Sequence, residues 1–71
     1  MPNIKKTVLE EEFYLIFPVK GKRPKAMEEA WKRVVAYFED ESIDERRSYE
    51  GDFEQYISEE EAEIYVRVNY L

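Results

Sequence analysis

The stretch "AEIYVRVNY", residues 62–70, carries the clearest structural signal in this chain. Apolar residues alternate there with polar or aromatic ones, so one face of the segment is apolar throughout: Ala62, Ile64, Val66 and Val68. Period-two alternation of this kind is typical of a half-buried β-strand. The segment therefore predicts a strand, and its β-branched residues favour a central position in a sheet.

The residues before this strand predict a hairpin. The segment "SEEE", residues 58–61, is typical of a short turn. Residues 43–57 alternate again, with mostly charged residues between four apolar ones: Ile43, Tyr49, Phe53 and Ile57. This pattern predicts one long polar strand with a bulge at Gly51, and so much charge suits a sheet edge.

A helix and a further strand precede this hairpin. Residues 24–40 place apolar side chains at helical spacing, namely Met27, Ala30, Trp31, Val34, Val35 and Phe38. Pro24 suits the first turn of that helix, where its missing N–H costs nothing. Residues 7–19 alternate with period two and predict a strand that ends near Pro18 and Gly21.

The order β-α-β-β predicts one compact α+β domain over residues 1–71. A right-handed crossover makes the first two strands parallel, and the hairpin makes the third antiparallel to the second. We therefore expect two layers, with one helix packed on a three-stranded mixed sheet in the order 1-3-2, like half of a ferredoxin-like fold. The side chains expected in the core are Phe13, Leu15, Phe17, Met27, Ala30, Trp31, Val34, Val35, Phe38, Ile43, Tyr49, Phe53, Ile57, Ile64, Val66 and Val68.

Composition excludes much chemistry. The chain has no Cys and no His, which removes disulfides, thiolate sites and the commonest general base. No apolar run is long enough for a membrane span, and the start "MPNIKKTV" lacks the apolar core of a signal peptide. We therefore expect a cytoplasmic protein that is not an enzyme and that uses neither a cofactor nor a metal.

Three groups of residues are candidate binding sites. The sheet face away from the helix is expected to carry an aromatic interface, formed by Tyr14, Ile16, Tyr56, Tyr65 and Arg67 and bordered by Arg46. The acid-rich stretch of residues 39–63 provides a candidate surface for a basic partner. Its candidate residues, called the acidic tract below, are Glu50, Asp52, Glu54, Glu59, Glu60 and Glu61. The basic loop is a candidate anion site before the helix, and it comprises Lys20, Lys22, Arg23 and Lys25. For each group the main alternative is an ordinary solvated surface. The lesser alternatives are RNA stacking on the aromatic face, metal binding by the oxygen ligands of "DESIDE" and "SEEE", and an acidic surface of a second copy for the basic loop.

The net charge of −6 favours a protein partner with a basic surface over nucleic acid or a membrane. Size, acidity and β-α-β-β order resemble small phage-encoded inhibitors, anti-CRISPR proteins among them, as a class. Dodecins share that order but carry a flavin-stacking Trp after the helix, whereas Trp31 falls inside it. The expected function is a non-enzymatic inhibitor that imitates nucleic acid and occupies a basic surface of a nucleic-acid-handling partner. The alternative is a self-assembling scaffold, a homodimer included, or a module that binds a small ligand such as phosphate.

Overall fold

The computed structural model describes residues 4–70, so residues 1–3, which belong to the stretch used in the signal-peptide argument, and residue 71 lie outside it. This part of the chain is a small α+β domain with one helix and a five-stranded sheet. Its elements are β1 (Lys5–Leu9), β2 (Glu12–Lys20), α1 (Lys25–Phe38), β3 (Glu45–Arg47), β4 (Phe53–Ser58) and β5 (Glu61–Tyr70). Within residues 4–70, no helix has both the length and the apolar character that a membrane crossing requires.

The sheet differs from the expected three-stranded one. Its strand order is β1-β2-β5-β3, and β4 also pairs with β5, beside β3 on the same edge. Every pairing between the described strands is antiparallel, so the sheet is not mixed. The three-strand order and the ferredoxin-like expectation are therefore not matched, because two of the predicted strands are each divided in two.

The first division is a tight hairpin between β1 and β2. Glu10 and Glu11 form its two-residue turn with φ angles of 49° and 68°, in the left-handed region. Hairpin turns of this kind usually carry Asn or Gly, which adopt positive φ easily. Two glutamates give no such signal, and Leu9 keeps the parity of Phe13 across the turn, so the sequence reads as one strand.

The second division reverses the parity of the predicted polar strand. In β3, Arg47 lies opposite Val68 and faces the helix, whereas in β4 Phe53 lies opposite Tyr65 and faces away from it. The segment between β3 and β4 contains Gly51 with φ 83°. Between the pairs Arg47–Val68 and Phe53–Tyr65, this side of the ladder has an odd number of residues more than β5 has. Because strand side chains alternate, such an insertion exchanges the two faces.

The core lies between α1 and the sheet. Ten side chains form its buried cluster: Leu15, Phe17, Val19, Met27, Ala30, Val34, Ala62, Ile64, Val66 and Val68. Trp31 and Phe38 pack against the cluster while half-buried. The expectation was wrong for five residues, which are all substantially exposed: Phe13, Val35, Tyr49, Phe53 and Ile57. Phe53 and Ile57 were misplaced because the sequence does not reveal the change of parity before β4.

Candidate functional site

The sheet face away from α1, called the outer face below, carries a compact aromatic cluster. Phe53 and Tyr65 stack with their ring centroids 4.5 Å apart and their planes inclined by 11°. The Tyr14 ring lies edge-on to both, with centroid distances of 5.6 Å to Phe53 and 6.2 Å to Tyr65. Ile16 lies opposite Tyr65 in the ladder and is only 9% exposed, although no described helix covers this face. The outer face therefore buries part of its own apolar surface.

Charged groups border the aromatic cluster. Arg67 pairs with Glu12 on the neighbouring strand at 2.9 Å, and both side chains are partly exposed. Gly51 lies against the Arg67 side chain, since a Cβ at that position would come within 3.3 Å of Arg67 Cδ. The predicted interface residues Tyr14, Ile16, Tyr65 and Arg67 are thus brought together on one face.

Tyr56, the remaining predicted interface residue, lies on the other side of the sheet. It pairs with Ala62, a core residue, and therefore points to the helix side. Its ring lies under the Arg23 guanidinium, 4.5 Å from ring centroid to Cζ. The place expected for Tyr56 is taken by Phe53, which the sequence had assigned to the core.

Glu54 of the acidic tract is held in a hydrogen-bond network on the helix side. Its carboxylate accepts bonds from Tyr56 Oη at 2.5 Å and from Trp31 Nε1 at 2.7 Å. The bond from Tyr56, and then that from Trp31, lower the pKa of Glu54. Burial opposes them, and the positive charge of Arg23 lowers the pKa by a smaller amount than burial raises it. These contacts join β4 to α1, so Glu54 stabilises the fold rather than presenting a free charge.

The lowered pKa of Glu54 predicts a loss of stability in acid. A carboxyl group whose folded pKa is depressed stabilises the protein above its unfolded pKa, and that stability is lost as pH falls through the folded value. We expect the difference in unfolding free energy between wild type and Glu54→Gln to be constant above about pH 5.5 and to shrink as the pH is lowered further. Urea titrations at several pH values measure this difference.

The control for this prediction is Trp31→Phe, which removes one donor and keeps a ring. In the wild-type background, Trp31→Phe should reduce the loss of unfolding free energy in acid. In the Glu54→Gln background it should leave that loss unchanged, because the carboxylate that Trp31 binds is already absent. If the difference in unfolding free energy between wild type and Glu54→Gln stayed the same down to about pH 3, the contacts would not stabilise the ionised form of Glu54.

The other members of the acidic tract are dispersed. Asp52 binds Arg47 at 2.8 Å and accepts the backbone N–H of Arg67 at 2.9 Å, with its side chain 16% exposed. Glu61 pairs with Lys20 at 2.9 Å. Glu61 is exposed, and so are three other members, namely Glu50, Glu59 and Glu60. Glu50 precedes β4 and the other two follow it, and a six-residue strand spans about 20 Å, so the six carboxylates do not form one continuous surface.

The basic loop lies against the acidic β4–β5 turn. Arg23 donates to the carbonyl oxygens of Ser58 at 2.8 Å and Glu61 at 3.3 Å, and Gly21 N donates to Glu60 O at 2.9 Å. An open concavity of about 370 Å³ lies here and is lined by Lys22, Arg23 and Glu59. Two of the predicted anion ligands, Lys20 and Arg23, are thus engaged with the turn, and the acidic residue Glu59 lines the concavity.

An acidic end lies opposite the basic loop. Its residues 39–44 belong to the acid-rich stretch noted in the sequence, but the sequence did not place the β1–β2 turn beside them. The β1–β2 turn and residues 39–44 after α1 lie at one end of the sheet. Tyr70, at the end of β5, links them, because it pairs with Glu45 and its ring centroid lies 5.1 Å from that of Phe13. The exposed carboxylates of the acidic end are Glu10, Glu11, Glu39, Asp40, Glu41 and Asp44. Helix α1 therefore runs from a basic to an acidic end, the reverse of the arrangement that its dipole favours.

Internal contacts order the acidic end. Ser42 donates both its backbone N–H and its hydroxyl to Asp40 Oδ1, and the hydroxyl bond followed by the N–H bond lowers the pKa of Asp40. Tyr37 donates to the buried Glu45 at 2.6 Å. Burial, and then the hydrogen bond to Glu45, raise the pKa of Tyr37 to about 12, so its hydroxyl remains a donor at neutral pH.

Comparisons with known proteins add no identification. The chain matches no protein-family model, no curated protein and no solved structure. Within residues 4–70, no three carboxylates gather as ligands for a metal ion. The site is therefore interpreted from its own geometry.

Proposed function

We propose that the protein is a non-enzymatic interaction protein whose outer face binds a larger protein with a basic, nucleic-acid-handling surface, and so inhibits that partner. The observation that carries the proposal is the aromatic cluster of Tyr14, Phe53 and Tyr65 on a sheet face that no helix of residues 4–70 covers. Binding hot spots are enriched in Tyr, and aromatic residues are over-represented in the core of interfaces. A cluster already ordered by ring contacts loses little side-chain entropy on binding.

The charge distribution supports a basic partner. The net charge is −6, and two carboxylates on the outer face, Glu12 and Glu63, are partly exposed. The acidic end contributes further negative charge, fixed in place by the hairpin turn and by the Asp40–Ser42 contacts. Such a field attracts a basic surface at long range and accelerates association, whereas the aromatic cluster supplies the short-range contact.

Affinity capture tests the proposal. The wild-type protein, immobilised and exposed to an extract of the cells that produce it, should retain a basic nucleic-acid-handling protein and compete with that protein's nucleic acid. The double variant Tyr14→Ser/Tyr65→Ser should lose this partner, because the cluster is dismantled. Retention should also fall as salt is raised, since screening acts beyond about 8 Å at physiological ionic strength.

A matched control uses the same substitution elsewhere. Tyr49→Ser removes a tyrosine that is 74% exposed and packs on Arg47 at 4.6 Å rather than on the outer face. This variant should retain the partner as wild type does. Retention by the double variant, with its fold verified by circular dichroism, would refute the role of the outer face.

A further inference from the structure

The two edges of the sheet differ in how they are protected. β1, with the sequence "KKTVL", carries Lys5 and Lys6, and lysines on an edge strand discourage pairing with other strands. β4, with the sequence "FEQYIS", carries neither Lys nor Pro. Its only charged residue is Glu54, whose carboxylate is bound by Trp31 and Tyr56. The free edge of β4 is therefore open to a further strand, and within residues 4–70 β5 is its one strand neighbour.

We propose that β4 pairs antiparallel with β4 of a second copy, around a two-fold axis at Gln55. In this register Gln55 faces Gln55 of the second copy, and Glu54 faces Tyr56. These two residues already form a hydrogen bond within one copy, so the cross-strand pair is chemically compatible. An axis one residue earlier would oppose two Glu54 carboxylates, which is destabilising. The bulge between Tyr56 and Ser58 leaves residues 53–56 regular.

Charge complementarity favours a second copy over an unrelated strand. Arg23 binds the carbonyl of Ser58, at the end of β4, and Lys22 lies beside it. Asp52, which is ion-paired to Arg47, immediately precedes β4, and Glu50 lies two residues before Asp52. Antiparallel pairing brings Lys22 and Arg23 of one copy alongside Glu50 of the other, and the two-fold axis makes this contact twice, although Glu59 and Glu60 at the same end of β4 offset part of the attraction. The local attraction opposes the repulsion between two chains of net charge −6.

This dimer is independent of the proposed partner contact. Edge pairing extends the sheet sideways and leaves both outer faces uncovered, so two aromatic clusters would lie on one continuous surface. The pairing would thus offer a partner two binding faces, but it requires no partner to form.

Cysteine cross-linking tests the pairing, because the chain has no native cysteine. Directly opposed residues in an antiparallel pair have Cβ atoms about 4.5–5.5 Å apart, close to disulfide geometry. Gln55→Cys should therefore form a covalent dimer on mild oxidation. The matched control is Glu63→Cys, which lies opposite Gln55 one strand further in. In the edge dimer two such cysteines are separated by three strand spacings, about 14 Å, and should stay reduced.

Sedimentation gives the second arm of the test. Wild type should sediment with twice the monomer mass at a protein concentration of about 0.5 mM. Gln55→Lys and Gln55→Glu should each be monomeric, since each opposes like charges at the axis, and an equal mixture should restore the dimer. The control Ala36→Lys adds the same charge on the exposed side of α1 and should remain dimeric. A monomeric wild type, or equal cross-linking of Gln55→Cys and Glu63→Cys, would overturn the proposal.

Discussion

Phe17→Ala should lower the free energy of unfolding by about 3–5 kcal/mol, the usual cost of truncating a buried aromatic side chain. Phe17 is 3% exposed, and its ring centroid lies 5.5 Å from that of Tyr37 and 6.2 Å from that of Phe38. It therefore joins the central sheet to the last turn of α1. A domain of this length has a total stability of roughly 4–11 kcal/mol, so the variant should be largely destabilised in urea titrations.

The control for Phe17→Ala is the same substitution on the same strand. Phe13 is 46% exposed and lies outside the buried cluster. Phe13→Ala should cost about 1 kcal/mol, because much of its ring is already in water. Equal losses for the two variants would mean that the helix does not pack where the structure places it.

Asp52→Ala should destabilise the protein by about 3 kcal/mol, near the lower end of the cost of breaking a buried ion pair. Asp52 and Arg47 are 16% and 15% exposed at their side chains. Removing the carboxylate leaves the Arg47 guanidinium without its ion-pair partner and the N–H of Arg67 without its acceptor. Arg47 Nε already has no hydrogen-bond partner among residues 4–70, so little is available to compensate.

Two further variants separate the contributions of Asp52. Asp52→Asn removes the charge and keeps an oxygen for Arg67 N–H, so it should fall between wild type and Asp52→Ala. Glu50→Ala changes an exposed carboxylate two residues away and should cost less than about 0.5 kcal/mol. Urea titrations of the three variants compare these costs directly. If Asp52→Ala were as mild as Glu50→Ala, Asp52 would be a solvated surface charge after all.

The sequence was sufficient where patterns are long and local. Helix α1 lies within one residue of its predicted start and two of its predicted end, because six apolar residues recur at helical spacing. Strand β5 begins at Glu61, one residue before the alternating stretch, and supplies four buried side chains to the core. Neither element is interrupted, so a single spacing of apolar residues holds along the whole of α1 and along the whole of β5.

Sequence reasoning failed where the chain changes direction or parity without a signal residue. Glu10 and Glu11 turn the chain through left-handed backbone that glutamate rarely adopts. The odd insertion before β4 exchanged Phe53 with Tyr56 between the two faces, so Tyr14 and Tyr65 lie on the predicted face and Tyr56 does not. The acidic tract was judged from composition, which does not show that Asp52 and Glu54 bind side chains of the same chain.

The affinity of the purified partner for two single-site tyrosine variants tests most directly whether the outer face is the binding surface. Tyr65→Ser alters the aromatic cluster on the outer face, whereas Tyr49→Ser removes an exposed ring that lies on Arg47. We predict that the dissociation constant rises at least about tenfold for Tyr65→Ser, equivalent to 1.4 kcal/mol or more, and changes less than about twofold for Tyr49→Ser. An unchanged dissociation constant for a correctly folded Tyr65→Ser would contradict the claim that the outer face is the binding surface.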